Sequence, residues 1–387
     1  RVSIIELSKK ERKKDMKKYT LLLSLSCLVL LLCSCTGKGA DLLILSWGDY
    51  MAEDVVSSFE EDHQVKVSVV TVDSNEQMYQ NILNRQAEYD LVIPSDYMLD
   101  QMKEDGLIKK LDYTRLSNYQ EGMFVDELET LMSSADCSNY QGYYIPYFWG
   151  SLGIMYSKRK AGVEEAVLEH GFKVLFEHDL LPSGATVGMY NVSRDALAAA
   201  EMYLGYSLNE TDKTKIDECM DLLKNTAFDA WGTDDLKIKV SSGNLDVALV
   251  YSGDFFDAYY ADIESGLEDK AALYSIYAPT DHNNVFFDAM AIPVTATAED
   301  LAYEFLNHML DHDQSYTNAE FVGYCPTLES VYDEIKSSED WEETLQIEAY
   351  DPVRILTTPG SVAEVYRYLG SDIYEYMEQK FIEVITG

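Results

Sequence analysis

Positive charge is scarce in this chain. Its 387 residues include 30 Lys and Arg against 68 Asp and Glu, a formal net charge of −38, which excludes a nucleic-acid backbone or an anionic membrane surface as the partner of the folded part. The basic residues it does have are crowded at one end: residues 1–34 hold eight of them against three acidic ones, leaving 22 against 65 for the remainder. Cysteine is also sparse, and the three distant from the N-terminus, Cys137, Cys219 and Cys325, are odd in number and show no CxxC spacing. That argues against a disulfide framework or a zinc site, so all three are expected to be structural, with one bridging pair left open. There is no GxSxG, no Walker loop and no GxGxxG, and 311–320 lacks the glycine of an EF-hand loop. His308 and His312 are four apart with Asp311 and Asp313 beside them, which is metal-ligand spacing, but without His-Glu-x-x-His the expected role is a solvated helix face. Neither a metal nor a cofactor is expected. What is present is apolar residue in quantity, 47% of the chain. At this length it is enough to bury a sizeable core in two domains or one two-lobed unit.

The N-terminus reads as an address. Lys17 and Lys18 precede an apolar run over 21–32, interrupted by Ser24, Ser26 and Cys27, the charged and apolar regions of an export signal. The run is shorter than the roughly 20 apolar residues that cross a bilayer. Leu32-Cys33-Ser34-Cys35 resembles a bacterial lipobox, which makes Cys35 the lipidated mature N-terminus; a plain secretory peptide is the alternative. The expected layout is a signal peptide over 1–34 with its true start at Met16, then a lipidated tether over 35–40. The folded part is expected in the periplasm or lipid-anchored on the outer face of the cytoplasmic membrane.

Beyond the leader, strand and helix patterns alternate. Residues 41–47 predict a strand and 51–61 a helix with Val55, Val56 and Phe59 on one face. Residues 65–72 alternate as a strand, 75–86 place Met78, Ile82 and Leu83 on one helical face, 91–94 form a short buried strand, and 96–104 are helical. This βαβαβ pattern implies a parallel sheet. After the aromatic run 143–149 a second region opens with a strand over 152–156, helices near 194–204 and 211–224, and a strand over 245–251. A strand over 285–293 and a helix over 298–309 follow. No long linker separates the regions, which suggests lobes joined by several crossings.

In open α/β sheets ligands bind beyond the carboxyl ends of strands. The residues there are Trp47-Gly48-Asp49-Tyr50, Pro94-Ser95-Asp96-Tyr97, Tyr251-Ser252-Gly253-Asp254 and Phe286-Phe287-Asp288, each group carrying aromatics and a carboxylate. A carboxylate at a helix N-terminus is favoured by the macrodipole, so Asp49 and Asp96 are expected to stay ionised at low cost. Acidic strand ends disfavour anions, which need bare N–H groups, and ring faces beside them suit an ammonium at roughly 0.5–2 kcal/mol per contact. The ligand class that follows is an aliphatic polycation. Asp96 and Asp254 also fit as simple helix N-caps, and that is their expected role.

Ser46-Trp47-Gly48-Asp49-Tyr50, Ser74-Asn75-Glu76-Gln77-Met78-Tyr79, Tyr89-Asp90-Leu91-Val92-Ile93-Pro94-Ser95, Ile145-Pro146-Tyr147-Phe148-Trp149-Gly150 and Phe287-Asp288-Ala289-Met290-Ala291-Ile292-Pro293, together with Leu204-Gly205-Tyr206-Ser207 and Gly323-Tyr324-Cys325-Pro326-Thr327, resemble in order the spermidine/putrescine-binding proteins of bacterial ATP-binding-cassette (ABC) importers. The resemblance runs from about residue 41 and loosens over roughly the last fifty residues. It implies an α/β, two-lobed periplasmic-binding-protein fold of the type II, Venus-flytrap kind, each lobe a mixed sheet flanked by helices. On that layout lobe 1 is 41–148 plus 285–327, and lobe 2 is 149–284 plus 328–387. The function implied is capture of putrescine or spermidine between closing lobes and delivery to the permease subunits of an ABC transporter, without covalent chemistry. Carried over by position, Trp47, Asp49, Ser95 and Tyr97 are first-lobe contacts, Tyr251 and Phe286 stand where the family often has stacking tryptophans, and Asp288 is a central amine-binding carboxylate. Asp195, in Arg194-Asp195, reads an amine, and Tyr324 is an aromatic near the cleft. Closure sets Asp49 and Asp288 on one side of the amines and Asp195 on the other.

Two departures bear on the ligand. Asn191-Val192-Ser193 stands where the family often has a further carboxylate, so one ammonium contact is lost or replaced by a neutral amide, and Tyr251 and Phe286 weaken the aromatic box. Fewer carboxylates favour putrescine. Asp288→Asn is expected to weaken binding severely and Asp96→Asn much less. The alternatives are a lipid-anchored hydrolase acting through Asp49 and Asp288, or a ferric-iron binder of the same broad fold using Tyr143-Tyr144 and Tyr259-Tyr260.

Overall fold

The computed structural model describes residues 39–85 and 87–387; the expected leader and Cys35 lie outside the described residues. The first strand, β1 (Leu42–Trp47), leads through helix α1 (Glu53–His63) to β2 (Val67–Val72), then through α2 (Asn75–Leu83) to β3 (Leu91–Val92) and into α3 (Asp96–Glu104). The three strands pair in parallel in the order β2-β1-β3, with Ile44 opposite both Val69 and Leu91, as the βαβαβ pattern implies. Two details differ from the periodicity. As an edge strand β2 has one covered side, so it is half-buried along most of its length instead of alternating. In α2 Met78 and Ile82 are buried but Leu83 is 44% exposed, because the helix ends there.

The second sheet is built on β4 (Ile145–Ser157), thirteen residues buried from end to end. Sequence reading placed a strand only over 152–156; the aromatic run before it is the same strand. Its first half pairs antiparallel with β9 (Asn283–Met290) and its second half with β7 (Val247–Tyr251) and β8 (Tyr274–Tyr277). The glycines inside it let neighbours close in: a Cβ on Gly150 would lie 3.1 Å from the Phe286 ring, and one on Gly153 2.7 Å from Ile276. Beyond β7 come β5 (Val187–Tyr190) and β6 (Ala230–Gly232), both parallel, and β11 (Ala363–Glu364) flanks β9 on the other edge. Strand β10 (Cys325–Pro326) pairs with the first half of β4.

The helices of this part include α4 (Ser193–Leu204), α5 (Lys213–Asn225), α6 (Asp235–Ser241), α7 (Ser252–Glu264), α8 (Glu299–Met309), α9 (His312–Val322), α10 (Glu329–Ser337) and α11 (Ser371–Thr386). α11 packs on α4 and α5, whereas α10 packs on α9 and β10. The two sheets are stitched together by backbone bridges from Val92 to Ala291 and from Ser95 to Asp288. Leu42–Gly387 is one unit, since β4 and β9 run through both halves.

Cys137, Cys219 and Cys325 are free and buried. His308 ends α8 and His312 starts α9, so they do not share a helix. His308 is not solvated but packs on Phe59, 5.4 Å between ring centroids, and meets the Val55 carbonyl at 3.1 Å, whereas His312 faces Glu334 at 3.1 Å. Among the described residues no helix is long and apolar enough to cross a membrane.

Candidate functional site

The ends of β1, β3 and β7 and the middle of β9 converge on one cleft of about 130 Å³; Phe286 and Asp288 lie within β9, not beyond a strand end as expected. Trp47, Asp49, Ser95, Tyr97, Asp195, Tyr251, Phe286, Asp288 and Tyr324, all nine sequence-selected residues, line it. Each is held by its own element. The Trp47 indole N–H donates to the Ile93 carbonyl at 2.8 Å, tying the end of β1 to the end of β3. Asp49 follows in a turn with left-handed backbone, φ 48°, a conformation Asp tolerates better than most residues. It is exposed and precedes α1 by several residues, so it is not at a helix N-terminus as expected. The neighbouring Tyr50 is buried and donates its hydroxyl to Asp288 Oδ2 at 2.6 Å. Ser95 Oγ accepts from Asn75 Nδ2 at 3.0 Å, and Tyr97 donates to Glu76 Oε1 at 2.9 Å.

From the other half, Asp195 on α4 accepts from the Tyr251 hydroxyl at 2.5 Å and from Tyr366 at 3.4 Å. Arg194 beside it does not enter the cleft lining; its guanidinium stacks over Tyr366 at 4.4 Å and donates to Asn209 Oδ1 at 2.9 Å. The rings form continuous walls: Tyr251 to Phe286 at 5.0 Å, Phe286 to Tyr324 at 6.0 Å and Tyr324 to Tyr50 at 5.5 Å between centroids. Tyr324 seats directly on the backbone of α7, since a Cβ on Gly253 would fall 1.8 Å from its ring.

Asp96 and Asp254 prove to be more than caps. Ser95 holds the N-cap position of α3, and Asp96 is its first helical residue, 0% exposed, with Oδ1 accepting from the Tyr97 N–H at 2.6 Å. Burial overrides the helix dipole and pushes its acid well above the usual carboxylate range, so the expectation of low-cost ionisation fails for Asp96. Asp254 is the third residue of α7, accepting from the Tyr251 N–H at 3.2 Å in a capping box, and it faces the cleft as well.

Burial raises the other acids too. Asp195 is pushed up to about 7, against the lowering pull of its Tyr251 hydrogen bond. Asp288 is pushed up to about 6 against the Ser95 and Tyr50 hydroxyls. Asp254 reaches about 6 by burial although the Lys237 ammonium opposes the rise. Asp288 Oδ1 and Asp96 Oδ2 are buried with no hydrogen-bond partner among the described residues, in a site where an unmatched carboxylate oxygen is costly.

Sequence reading missed Tyr50, Glu76, Tyr190, Asp234, Lys237, Asp257 and Tyr366, all of which line the cleft. Asp234 and Lys237 follow β6, a strand of three residues too short to read. Tyr366 comes from the weakly patterned C-terminal segment. At the Asn191-Val192-Ser193 departure Val192 lines the cleft and Asn191 does not. The paired tyrosines Tyr143-Tyr144 and Tyr259-Tyr260 are not among the cleft residues. Tyr260 instead hydrogen-bonds Thr344 at 2.6 Å.

Residues 54–348 match the family of bacterial extracellular solute-binding proteins. The chain belongs to that family. Among similar solute-binding proteins, the spermidine/putrescine-binding periplasmic protein of Salmonella typhimurium is 27% identical over 296 residues, 73% of this chain and 76% of that protein. The putrescine-binding periplasmic protein SpuD of Pseudomonas aeruginosa is 29% identical over 273 residues, covering 69% and 72% of the two chains. The solved structure of the spermidine/putrescine ABC transporter substrate-binding protein PotD from Streptococcus pneumoniae superposes with a TM-score of 0.66 at 26% identity, covering 89% of this chain and 98% of that one. The solute-binding protein described here thus has the two-lobed, type II periplasmic-binding-protein fold. Its cleft lies where the strands β4 and β9, shared between the halves, bring the strand ends together.

Proposed function

We propose that this solute-binding protein captures a polyamine, putrescine or spermidine, in the ring-walled cleft and delivers it to the permease of an ABC transporter without covalent chemistry. The observation that carries this reading is the meeting of buried acids from both halves, Asp288 on β9 and Asp195 on α4, in one cleft lined by Tyr251, Phe286 and Tyr324. A flexible aliphatic chain with ammonium ends matches it: each ammonium meets a carboxylate that makes no ion pair among the described residues, and the methylenes lie along the rings. Hydrogen bonds to charged groups contribute roughly 1.5–3 kcal/mol each and cation–π contacts roughly 0.5–2 kcal/mol. Two such ends reach the ~ −8 kcal/mol of micromolar binding.

The related proteins named for spermidine and putrescine support the same class of ligand. In this reading the nine selected residues are the ligand contacts, and lobe 1 (41–148 plus 285–327) closes on lobe 2 (149–284 plus 328–387) about the strands they share. Closure is favoured because the amines bridge Asp49 and Asp288 to Asp195. An export signal and a lipid on Cys35 complete the proposal, placing the protein on the outer face of the cytoplasmic membrane or in the periplasm.

A hydrolase using Asp49 and Asp288 as acid and base is not favoured. Asp96, Asp195, Asp254 and Asp288 are raised together by shared burial, which describes a dry anionic cleft, not one acid tuned apart from one base. Calorimetric titration with putrescine, spermidine, spermine and a neutral diol tests the proposal. Micromolar or tighter binding of an amine with no heat from the diol is expected, and binding of the diol alone would discard it.

A further inference from the structure

The cleft contains a cation of its own. Nine carboxylates line it, and the one basic side chain among its lining residues is Lys237. Lys237 lies on α6, in the short segment after β6, and its ammonium sits 2.7 Å from Asp257 Oδ2 and 3.9 Å from Asp254 Oδ1. The side chains of Lys237 and Asp254 are each 12% exposed, so this is an enclosed contact, unlike the solvated pairs that contribute little elsewhere on the surface. Asp254 and Asp257 hold the lysine firmly in its charged form, more strongly than its burial opposes it.

A lysine side chain is an aliphatic chain ending in a primary ammonium, the same group that ends a polyamine. Seated here it already serves the carboxylates of one end of the cleft. Asp254 is tied to the rest of the site through Tyr251, whose backbone N–H it accepts and whose hydroxyl goes to Asp195. The buried acids that make no ion pair among the described residues are then Asp195, which feels the charge of the neighbouring Arg194 without pairing with it, and Asp288 with the wholly enclosed Asp96 beside it. Those two positions, one from each half of the cleft, are left for the two ends of a diamine.

We propose that Lys237 is a specificity-determining residue: its ammonium, held by Asp257 and Asp254, fills the subsite that the third amine of a longer ligand needs, and restricts the cleft to diamines. This rests on the polyamine reading. It adds that a third positive charge brought into the cleft is repelled by Lys237 and finds the acids at that end already neutralised.

The test is calorimetric titration of the purified protein, of Lys237→Met and of Lys237→Gln, each with putrescine and with spermidine. Wild type is expected to bind putrescine at least tenfold more tightly than spermidine. In both variants the spermidine-to-putrescine affinity ratio is expected to rise at least tenfold, because Asp254 and Asp257 become free for the third ammonium. The glutamine variant keeps a hydrogen-bonding head group should methionine disturb folding, and Lys237→Arg, which preserves the charge, is expected to keep the diamine preference. A wild-type protein that prefers spermidine, or a ratio unmoved in the neutral variants, overturns the inference while leaving the polyamine reading intact. A wild type that binds neither amine overturns the polyamine reading and the inference with it.

Discussion

At the scale of single residues the cleft is a set of carboxylic acids kept out of water, and its energetics differ from those of the acidic surface. Asp288 Oδ2 accepts the Tyr50 hydroxyl at 2.6 Å and the Ser95 hydroxyl also favours its ionised form, while Oδ1 has no hydrogen-bond partner among the described residues. Replacing it with asparagine removes the charge an ammonium requires in a dry site, a loss on the order of 2–5 kcal/mol when one partner of a buried charged pair is cut. Asp288→Asn is therefore expected to weaken polyamine binding by more than about 30-fold, measured by calorimetry. The unfolding midpoint of the ligand-free protein should hold or rise, because a costly buried acid has been neutralised. Tyr251→Phe is a milder change. It deletes the hydroxyl that Asp195 accepts at 2.5 Å but keeps the ring against Phe286, so a loss of about 1.5–3 kcal/mol, that of a hydrogen bond to a charged group, is expected in the same titration. Equal effects from the two variants would contradict a central role for Asp288.

At the scale of elements, the start of α7 is the most constrained part of the site. Its Gly253 lets Tyr324 rest on the helix backbone, and a methyl group there would overlap the ring at 1.8–2.2 Å. Gly253→Ala must push Tyr324 off its seat. The expected result is at least tenfold weaker polyamine binding with far-ultraviolet circular dichroism unchanged; unaltered affinity would show that the Tyr324 wall is dispensable. The same helix shows how far local pattern carries. The strands β1, β3 and β7 were legible because each is an apolar run that stops near a carboxylate and an aromatic, and the residues at and just beyond their ends face the cleft; Phe286 and Asp288 reach it from inside β9, not from beyond its end. Residues that reach it by other routes left no local signal. Glu76 enters from the first turn of α2, Lys237 from α6 after a three-residue strand, and Tyr366 from a segment distant in sequence. Asp254 was legible as a helix-start residue, which it is, but one carboxylate serves both the capping box and the cleft. β4 was read as half its length because its aromatic first half lacks a strand's alternation, being buried on both faces.

At the scale of the whole molecule, the raised acids couple ligand binding to pH. A carboxyl whose folded pKa lies above its unfolded value favours the folded ligand-free protein at low pH, and that contribution is lost as pH rises through the folded pKa. For Asp288 and Asp254 the loss runs from about 4 to about 6, and for Asp195 to about 7. Outside the cleft the signs are mixed: burial also raises Glu201, to about 8, whereas other carboxylates act with the opposite sign. Glu364, which accepts from His282 at 2.9 Å, is held down to about 2, so the stability it contributes is present above the normal glutamate range and disappears only on acidification toward that value. The pH profile of the ligand-free unfolding temperature is thus a sum of opposed slopes, whereas the shift produced by a saturating polyamine isolates the cleft, because a polycation binds the ionised acids and groups outside the cleft cancel in the difference. That shift is expected to grow steadily from pH 5.5 to pH 8, and titrations near pH 6.5 should release protons, seen as a binding enthalpy that changes with the ionisation enthalpy of the buffer. A stabilisation independent of pH over this window, with no buffer dependence, would mean that Asp195 and Asp288 do not meet the ligand's charge. Asp195→Asn should flatten the upper part of the profile and Asp288→Asn the lower part, which separates the two lobes' contributions in one set of melting curves.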